Sequence, residues 1–328
     1  MASKVMVTGA QGWLGRTLIR RLASENRRIV YVDKWKTKPA LPAYLKSCRN
    51  IEYVNGDIRK PQEFAKKFEN CETVFNCAAV QHPVFTADYY SVNVNGPANL
   101  LRMCDKFNVP RFIHISSSAV HGENINSEVP ITEEDPLKPL THCTISKAHG
   151  EMLLSSLSRG IKTRISIIRP GVFYGNNPSK NFIQLIKSIK SGAAAVFGRD
   201  GCLRTYADIE KVAGAILLAE KKGKRGEAYL IGDKEPLSTV RLYEIIAGAM
   251  NTRLKIIQIP KAVSRMNEKI SLAAGKLNIH LRLPNFIGEV GRHHFFSSEK
   301  AIKELSYNPR KSSEEGIREM VRSVWQKS

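Results

Sequence analysis

The apolar positions of this chain fall into short continuous runs separated by stretches of helical spacing. Val5-Met6-Val7-Thr8 is the first run and predicts a buried strand. After it, Leu14, Leu18, Ile19 and Leu22 recur at the intervals of one helix face. Further strands are expected over 29–32, ending on Asp33, over 51–54, running into Gly56-Asp57, over 73–77, over 112–115, and over 164–168, where Pro170 stops the run. Helices are expected over 93–107 and from about Cys143 past Lys147 to Leu157. Strands that are apolar throughout are buried on both faces, so their alternation with amphipathic helices predicts a parallel sheet covered on both sides. Right-handed crossovers make that sheet doubly wound, the α/β Rossmann arrangement.

Beyond Pro170 the rhythm loosens. One helix is expected within 176–200, another over 206–219, and a strand over 227–231 that returns to the sheet. From about 233 the chain reads as irregular, Lys-rich and broken by prolines. The expected organisation is a first domain over 1–170, rejoined by 205–231, and a smaller discontinuous second domain made of 171–204 and 232–328. The second would lie over the carboxyl ends of the strands.

Composition changes this picture little. The 328 residues are 42% hydrophobic and 25% charged, as in ordinary globular proteins. No apolar run approaches the ~20 residues that span a bilayer, and the first apolar stretch runs straight into glycines, unlike a secretory leader. A cytoplasmic protein without stable membrane insertion is expected. Cys48, Cys71, Cys77, Cys104, Cys143 and Cys202 form no C-x-x-C pair, so they read as free thiols in a reducing compartment and not as metal ligands.

Charge is the unusual feature. The net charge is +21, and residues 1–60 alone hold 13 Lys and Arg against 4 Asp and Glu. These bases sit singly or in pairs, with no aromatic-interleaved run. A solvated basic surface is the first reading, steering of anionic ligands the second and nucleic acid the third, so no nucleic-acid partner is expected.

The candidate chemistry starts at Gly9-Ala10-Gln11-Gly12-Trp13-Leu14-Gly15, directly after the first strand. Three glycines give a tight turn, a close backbone approach to a pyrophosphate and close helix packing, while the helix N-terminus offers donors to phosphate. Asp33 at the tip of the second strand would accept hydrogen bonds from an adenosine ribose and repel a 2′-phosphate, favouring NAD over NADP. Lys34 and Lys36 argue the other way. Asp57-Ile58 would lie beside the adenine, with a turn cap as the alternative reading for Asp57.

In order along the chain, Thr8-Gly9 to Gly15, Asp33, Gly56-Asp57, Cys77-Ala78-Ala79, Asn93-Val94-Asn95-Gly96, Ser116-Ser117-Ser118-Ala119-Val120-His121-Gly122, Ser146-Lys147 and Arg169-Pro170-Gly171-Val172-Phe173-Tyr174-Gly175 resemble the extended short-chain dehydrogenase/reductase family. Its members include nucleotide-sugar epimerases and dehydratases and 3β-hydroxysteroid dehydrogenase-like enzymes. Residues 304–309 with 313–317 also resemble that family's C-terminal signature. The resemblance implies hydride transfer at a secondary alcohol or ketone and dimerisation through two helices. It places the catalytic serine on Ser117, the lysine on Lys147 and a buttressing asparagine on Asn93. Gly9, Gln11, Gly12, Trp13, Leu14, Gly15, Asp33, Lys34, Asp57, Ile58, Cys77-Ala78-Ala79, Ser116, Lys147 and Pro170 are the expected cofactor contacts.

The chain departs from the family at the tyrosine that exchanges the proton, where it has Cys143. A thiol, with a pKa of about 8.5 against about 10 for phenol, has suitable acidity but a shorter reach. Three readings stand: another group or a water relay replaces the tyrosine, with His121 the candidate and His142 a neighbour; Cys143 itself carries the proton; or the fold only binds NAD. Tyr307, though followed four residues later by Lys311, is interrupted by Pro309 and read as a decoy.

On the substrate side, Arg204 resembles the family arginine that clamps a nucleotide-sugar diphosphate, and bidentate guanidinium geometry suits phosphate. A surface salt bridge is the alternative. Arg292 is a weaker phosphate candidate. Gln81 and His82, after the fourth strand, together with Ser117 and Ser118, would border the substrate. The basic amphipathic stretch 259–276 resembles a region that 3β-hydroxysteroid dehydrogenase-like members use near apolar substrates or membranes, with a packed helix as the plainer reading.

Overall fold

The computed structural model describes residues 3–35, 50–81, 83–124, 128–198, 201–281 and 291–325. In chain order these form β1 (Lys4–Thr8), α1 (Trp13–Ser24), β2 (Arg28–Asp33), β3 (Ile51–Asn55), a 3₁₀ stretch (Pro61–Phe68) and β4 (Cys71–Asn76). A helical run (Ala87–Tyr90) passes through a π turn (Ser91–Asn95) into α2 (Gly96–Lys106), followed by β5 (Arg111–Ile115), a 3₁₀ turn (Ser118–His121), α3 (His142–Ser158) and β6 (Arg164–Pro170). Then come β7 (Val172–Tyr174), α4 (Lys180–Lys190), β8 (Ala193–Phe197), β9 (Leu203–Arg204), β10 (Tyr206–Asp208), α5 (Ile209–Lys222), β11 (Ala228–Ile231), β12 (Leu237–Ser238) and α6 (Thr239–Ala249). The last elements are β13 (Lys255–Ile259), α7 (Lys261–Lys276), α8 (Glu299–Leu305) and α9 (Glu314–Trp325). The contacts divide the chain into two compact units, the first made of Met1–Ser116, Ser146–Arg169 and Ala213–Tyr229, the second of Ser117–Ile145, Pro170–Val212 and Leu230–Ser328. The run 117–145, expected with the first domain, clusters with the second unit.

The first unit is built on a parallel sheet of order β11-β6-β5-β4-β1-β2-β3, seven strands among the described residues. Strand order reverses between β1 and β4, the switch point at which α/β sheets bind ligands. The apolar runs behave as their composition dictates: Met6, Val30, Val74, Phe112, Ile165 and Ile167 bury one sheet face against Leu100, Leu101 and Cys104 of α2 and Leu154 of α3. At the far end of the strands, Arg27 grips both oxygens of Glu220 at 2.7 Å and Thr73 Oγ1 donates to Glu220 at 2.6 Å. That carboxylate ties α5 to the sheet.

The second unit holds three two-stranded ribbons, β7 with β10, β9 with β12, and β8 with β13, around a core of Tyr174, Phe182, Ile186, Leu242, Ile246, Ile317 and Met320. Its hub is Asp233, which accepts from Tyr174 Oη at 2.7 Å and Ser313 Oγ at 2.6 Å. Tyr307 is buried and donates to Gly232 O, so its role is structural.

Four expectations change. Residues 206–208 are not the start of a helix: they pair in register with Val172–Tyr174, and α5 begins only at Ile209. The helix over 93–107 starts earlier, because the π turn joins it to Ala87–Tyr90. Residues 176–200 hold a strand, β8, as well as a helix, and the region beyond 233, read as irregular, carries α6 to α9 and β12 and β13. Pairing partners far along the chain decide these short strands, and no local period announces them.

Removing one partner of a buried ion pair strands the other, so Glu220→Ala should lower unfolding stability by about 3 kcal/mol in chemical denaturation. Burial works against the charge on Glu220, but hydrogen bonds from Arg27 and Thr73 outweigh it and hold its pKa below the usual 4.5. Its contribution is therefore complete above about pH 4.5 and lost as pH falls through the lower folded value, a loss that Glu220→Gln should lack.

Candidate cofactor and substrate sites

In the first unit the glycine loop is fixed by contacts only glycine permits. Gly9 has φ +65°, and a Cβ there would stand 2.5 Å from the backbone nitrogen of Ala78. A Cβ on Gly15 would run into the carbonyl of Gly9. Gly12 caps α1 without a side chain, and the first intrahelical bond runs from Arg16 N to Gly12 O, so the preceding amides point out of the helix end. Asp33 accepts from Gln11 N at 2.7 Å and Lys34 N at 2.8 Å; burial raises its pKa while those two amides oppose the rise. Gln11 Nε2 and Ser116 Oγ are buried polar atoms with no partner among the described residues. The helix N-terminus, the carboxylate at the tip of β2 and these two buried groups fit a dinucleotide.

The neighbouring residues divide. Lys34 reaches Asp57 at 2.9 Å, where Arg59 also bonds the carboxylate at 2.6 Å. Side-chain bonds from Arg59 hold the Asp57 carboxyl well below the usual carboxylate range despite desolvation. Asp57 thus serves as a turn cap and ion-pair centre, and Ile58 is a core side chain packed on Gly96. Lys36 lies outside the described residues.

Asn93 works as a brace. Its Oδ1 accepts from Val80 N at 2.9 Å, and its Nδ2 donates to Val80 O at 3.1 Å and Ser146 Oγ at 3.0 Å. This ties the Cys77-Ala78-Ala79 loop, whose Cys77 N donates to Thr8 O, to the helix that carries Lys147. Lys147 is buried, and its Nζ donates to Ser116 O at 3.4 Å. Desolvation pushes the Cys77 thiol up to about 12 even though Lys147 opposes it. Beneath the loop runs a polar row that the sequence reading missed: Thr8 Oγ1 donates to Asn76 at 2.7 Å, and Asn76 Nδ2 meets His114 Nδ1 at 3.0 Å. Burial, then the charge of Lys147, lowers His114 to about 3, so its ring is neutral. Gln81 is exposed, and its carbonyl accepts from Tyr89 Oη at 2.6 Å.

In the second unit Ser117 opens the 3₁₀ turn. Its Oγ accepts from Ala119 N at 3.2 Å, leaving its own proton to donate. Ser118, expected toward substrate, is buried against His294, whose Nε2 lies 2.9 Å from its hydroxyl. His294 Nδ1 lies 2.6 Å from Gly122 O, which can only accept, so the neutral ring donates there and accepts from Ser118. His294 clips both ends of the turn holding Ser117 and His121. Sequence reasoning missed it, and its pairing in His293-His294 was the only signal. His121 is buried. Cys143 is half-buried in the first turn of α3, one turn before Lys147. His142 turns its ring onto Gly275 of α7.

Arg204 lies on β9 beside His294, and its charge helps depress His293 and His294. Arg292, the weaker phosphate candidate, bonds both Glu123 and Glu268. Pro170 is buried at the end of β6, and His82 lies outside the described residues. No cluster of metal-ligating side chains occurs among the described residues.

The family model described as the NAD dependent epimerase/dehydratase family matches residues 5–232. A UDP-glucose 4-epimerase of Vibrio cholerae is 26% identical over 268 residues, covering 79% of this chain and 80% of that protein. A 3beta-hydroxysteroid-dehydrogenase/decarboxylase (isoform 1) of Arabidopsis thaliana is 23% identical over 346 residues, covering 97% of this chain and 79% of that protein. The crystal structure of a UDP-glucose 4-epimerase with UDP-glucose from Thermotoga maritima shares the fold, with a TM-score of 0.80 at 22% identity and 99% of each chain covered.

Desolvation, with help from Arg204, lowers His294 from 6.5 to about 4. The unfolded chain takes up that proton first, so stability is complete above about pH 6.5 and lost as pH falls toward 4. In denaturation at stepped pH, the decline in His294→Gln should be smaller by roughly 2–3 kcal/mol.

Proposed function

The chain belongs to the NAD dependent epimerase/dehydratase family, and from that premise we propose that it acts on a secondary alcohol or ketone carried by a nucleoside diphosphate sugar. The protein is an enzyme and its cofactor is NAD, which supplies the hydride acceptor and donor. The observation that carries the reading is Lys147, a buried ammonium anchored at Ser116 O next to a cradle with unused donors. Alcohol oxidation releases a hydride from the carbon and a proton from the oxygen. Ser117 keeps a free O–H to hold that oxygen, and Lys147 lowers the cost of negative charge developing there. His121 is our assignment for the proton carrier, with Cys143 as the competing group. Arg204 would clamp the diphosphate, since a planar guanidinium matches two phosphate oxygens. Resemblance to named UDP-glucose epimerases supports this substrate class. A lipid-alcohol reading is favoured by one finding, the likeness to the Arabidopsis steroid dehydrogenase over 97% of the chain.

Screening UDP- and dTDP-sugars against hydroxysteroids while following reduced nicotinamide separates the two readings. Turnover of steroids alone would reject the sugar assignment. With the turned-over substrate, Lys147→Met should cost about 10²–10⁴ in kcat, and His121→Phe about as much. Full activity in His121→Phe together with loss in Cys143→Ser would give the proton to the thiol. Removing the Asp33 carboxylate should relax cofactor choice: Asp33→Ser is expected to narrow the preference for NAD over NADP by about tenfold or more in competition binding.

A further inference from the structure

Helix α7 buries serines most deeply and leaves large apolar side chains outward, the reverse of the usual order. A helix packed on a globular unit turns its large apolar residues inward and its polar ones outward. In α7 the buried positions are Ser264 and Ser271, and Gly275 lies under the ring of His142. The one carboxylate of the helix, Glu268, also faces inward, 13% exposed and bonded to Arg292. The outward positions are Ala262, Met266, Ile270 and Ala273, continued by Leu277 just past the helix end. Their three- and four-residue spacing makes a single stripe along a helix about 24 Å long. Met266 is 57% exposed, Ile270 45% and Leu277 75%. Half of the ten large hydrophobic side chains exposed among the described residues fall between Ile257 and Ile279, so the apolar surface is concentrated here.

Lys261, Arg265, Lys269 and Lys276 are exposed on the same helix, and no exposed carboxylate accompanies them. Whatever covers this face must therefore be apolar in its middle and anionic at its margin. A second copy is a poor match, because it would set four bases against four in a chain of net charge +21. An anionic bilayer has both properties at the boundary between headgroups and acyl chains. No helix among the described residues is long and apolar enough to cross a membrane. We propose that α7 is a peripheral docking helix that lies in the interface of an anionic lipid bilayer, with Met266, Ile270 and Leu277 among the acyl chains and the four bases at the phosphates. Binding of this kind is reversible and brings the second unit to the lipid surface.

The test is sedimentation of the full-length, NAD-loaded protein with vesicles of phosphatidylcholine alone or with about 30% phosphatidylglycerol. The protein should pellet with the anionic vesicles only, and binding should fall several-fold between about 0.1 M and 0.5 M salt. Met266→Ser, Ile270→Ser and Leu277→Ser together should reduce partitioning at least about tenfold. Changing Lys261, Arg265, Lys269 and Lys276 to Gln should reduce it about a hundredfold. Retained NAD binding and circular dichroism report folding, and because the Gln variant alters only exposed side chains it decides the matter if the Ser variant misfolds. A control with Lys60, Lys187, Lys221 and Lys303 changed to Gln removes equal charge elsewhere and should bind almost as well as the parent. The proposal is overturned by absence of binding to anionic vesicles, by equal loss in the control, or by a dimer that the Ser variant dissociates while vesicle binding is absent.

Discussion

The close approach of Gly9 to the backbone of Ala78 sets the arrangement of the whole first unit. β1 and β4 lie side by side in parallel, so the loops leaving them must share the space above the same sheet edge. Any Cβ at Gly9 would fill that space, and its positive φ already excludes most residues. With the loop seated there, α1 starts at Gly12 with its amides turned outward, and Gln11 N meets Asp33. The second loop is held as firmly: Asn93 takes both backbone groups of Val80 and passes the constraint through Ser146 to the helix of Lys147. The first turn of α1, the Asp33 carboxylate and the Lys147 side chain are therefore held by one connected set of contacts.

Buried polar groups do similar work elsewhere, each through partners distant in sequence. His294 can clip the turn of Ser117 only as a neutral ring, donating with one nitrogen and accepting with the other, and burial enforces that state. Desolvation raises Asp233, yet its two hydroxyl donors, Tyr174 and Ser313, oppose the rise and bond one of its oxygens. Polar side chains that are costly to bury unpaired thereby fix loops that apolar packing alone would leave free to slide.

Much of the first unit was legible because each strand is locally apolar and each glycine of the loop has a local job. The units part at Ser117, and there legibility declines. β10 resembles the helix it precedes until Val172–Tyr174 is known to pair with it, and β8 waits on β13, some sixty residues later. Side-chain partners were least readable. Nothing local announces that Arg59 pairs with Asp57, or that Glu123 and Glu268 both pair with Arg292. His294, Asn76 and His114 have no motif to mark them, since their roles come entirely from residues distant in sequence.

The same pairings bear on where the high net charge lies. Asp57, Glu151, Asp208, Glu220 and Glu268 are bonded to Arg59, Arg169, Arg310, Arg27 and Arg292, and Asp33 and Asp233 are spent on backbone and hydroxyl donors. Acidic residues are thus drawn into structural work, while Lys261, Arg265, Lys269 and Lys276 remain outside. Once the internal pairs cancel, the excess of bases resides on the surface, and its field extends about 10 Å into solution at moderate salt. Such a field favours approach by any anion, whether a diphosphate small enough to enter a site or an extended acidic sheet of headgroups. Charge alone cannot distinguish between them. The reversed order of α7 does, because a soluble anion offers nothing to Met266, Ile270 and Leu277, whereas a surface that is both acidic and apolar satisfies the bases and the stripe together.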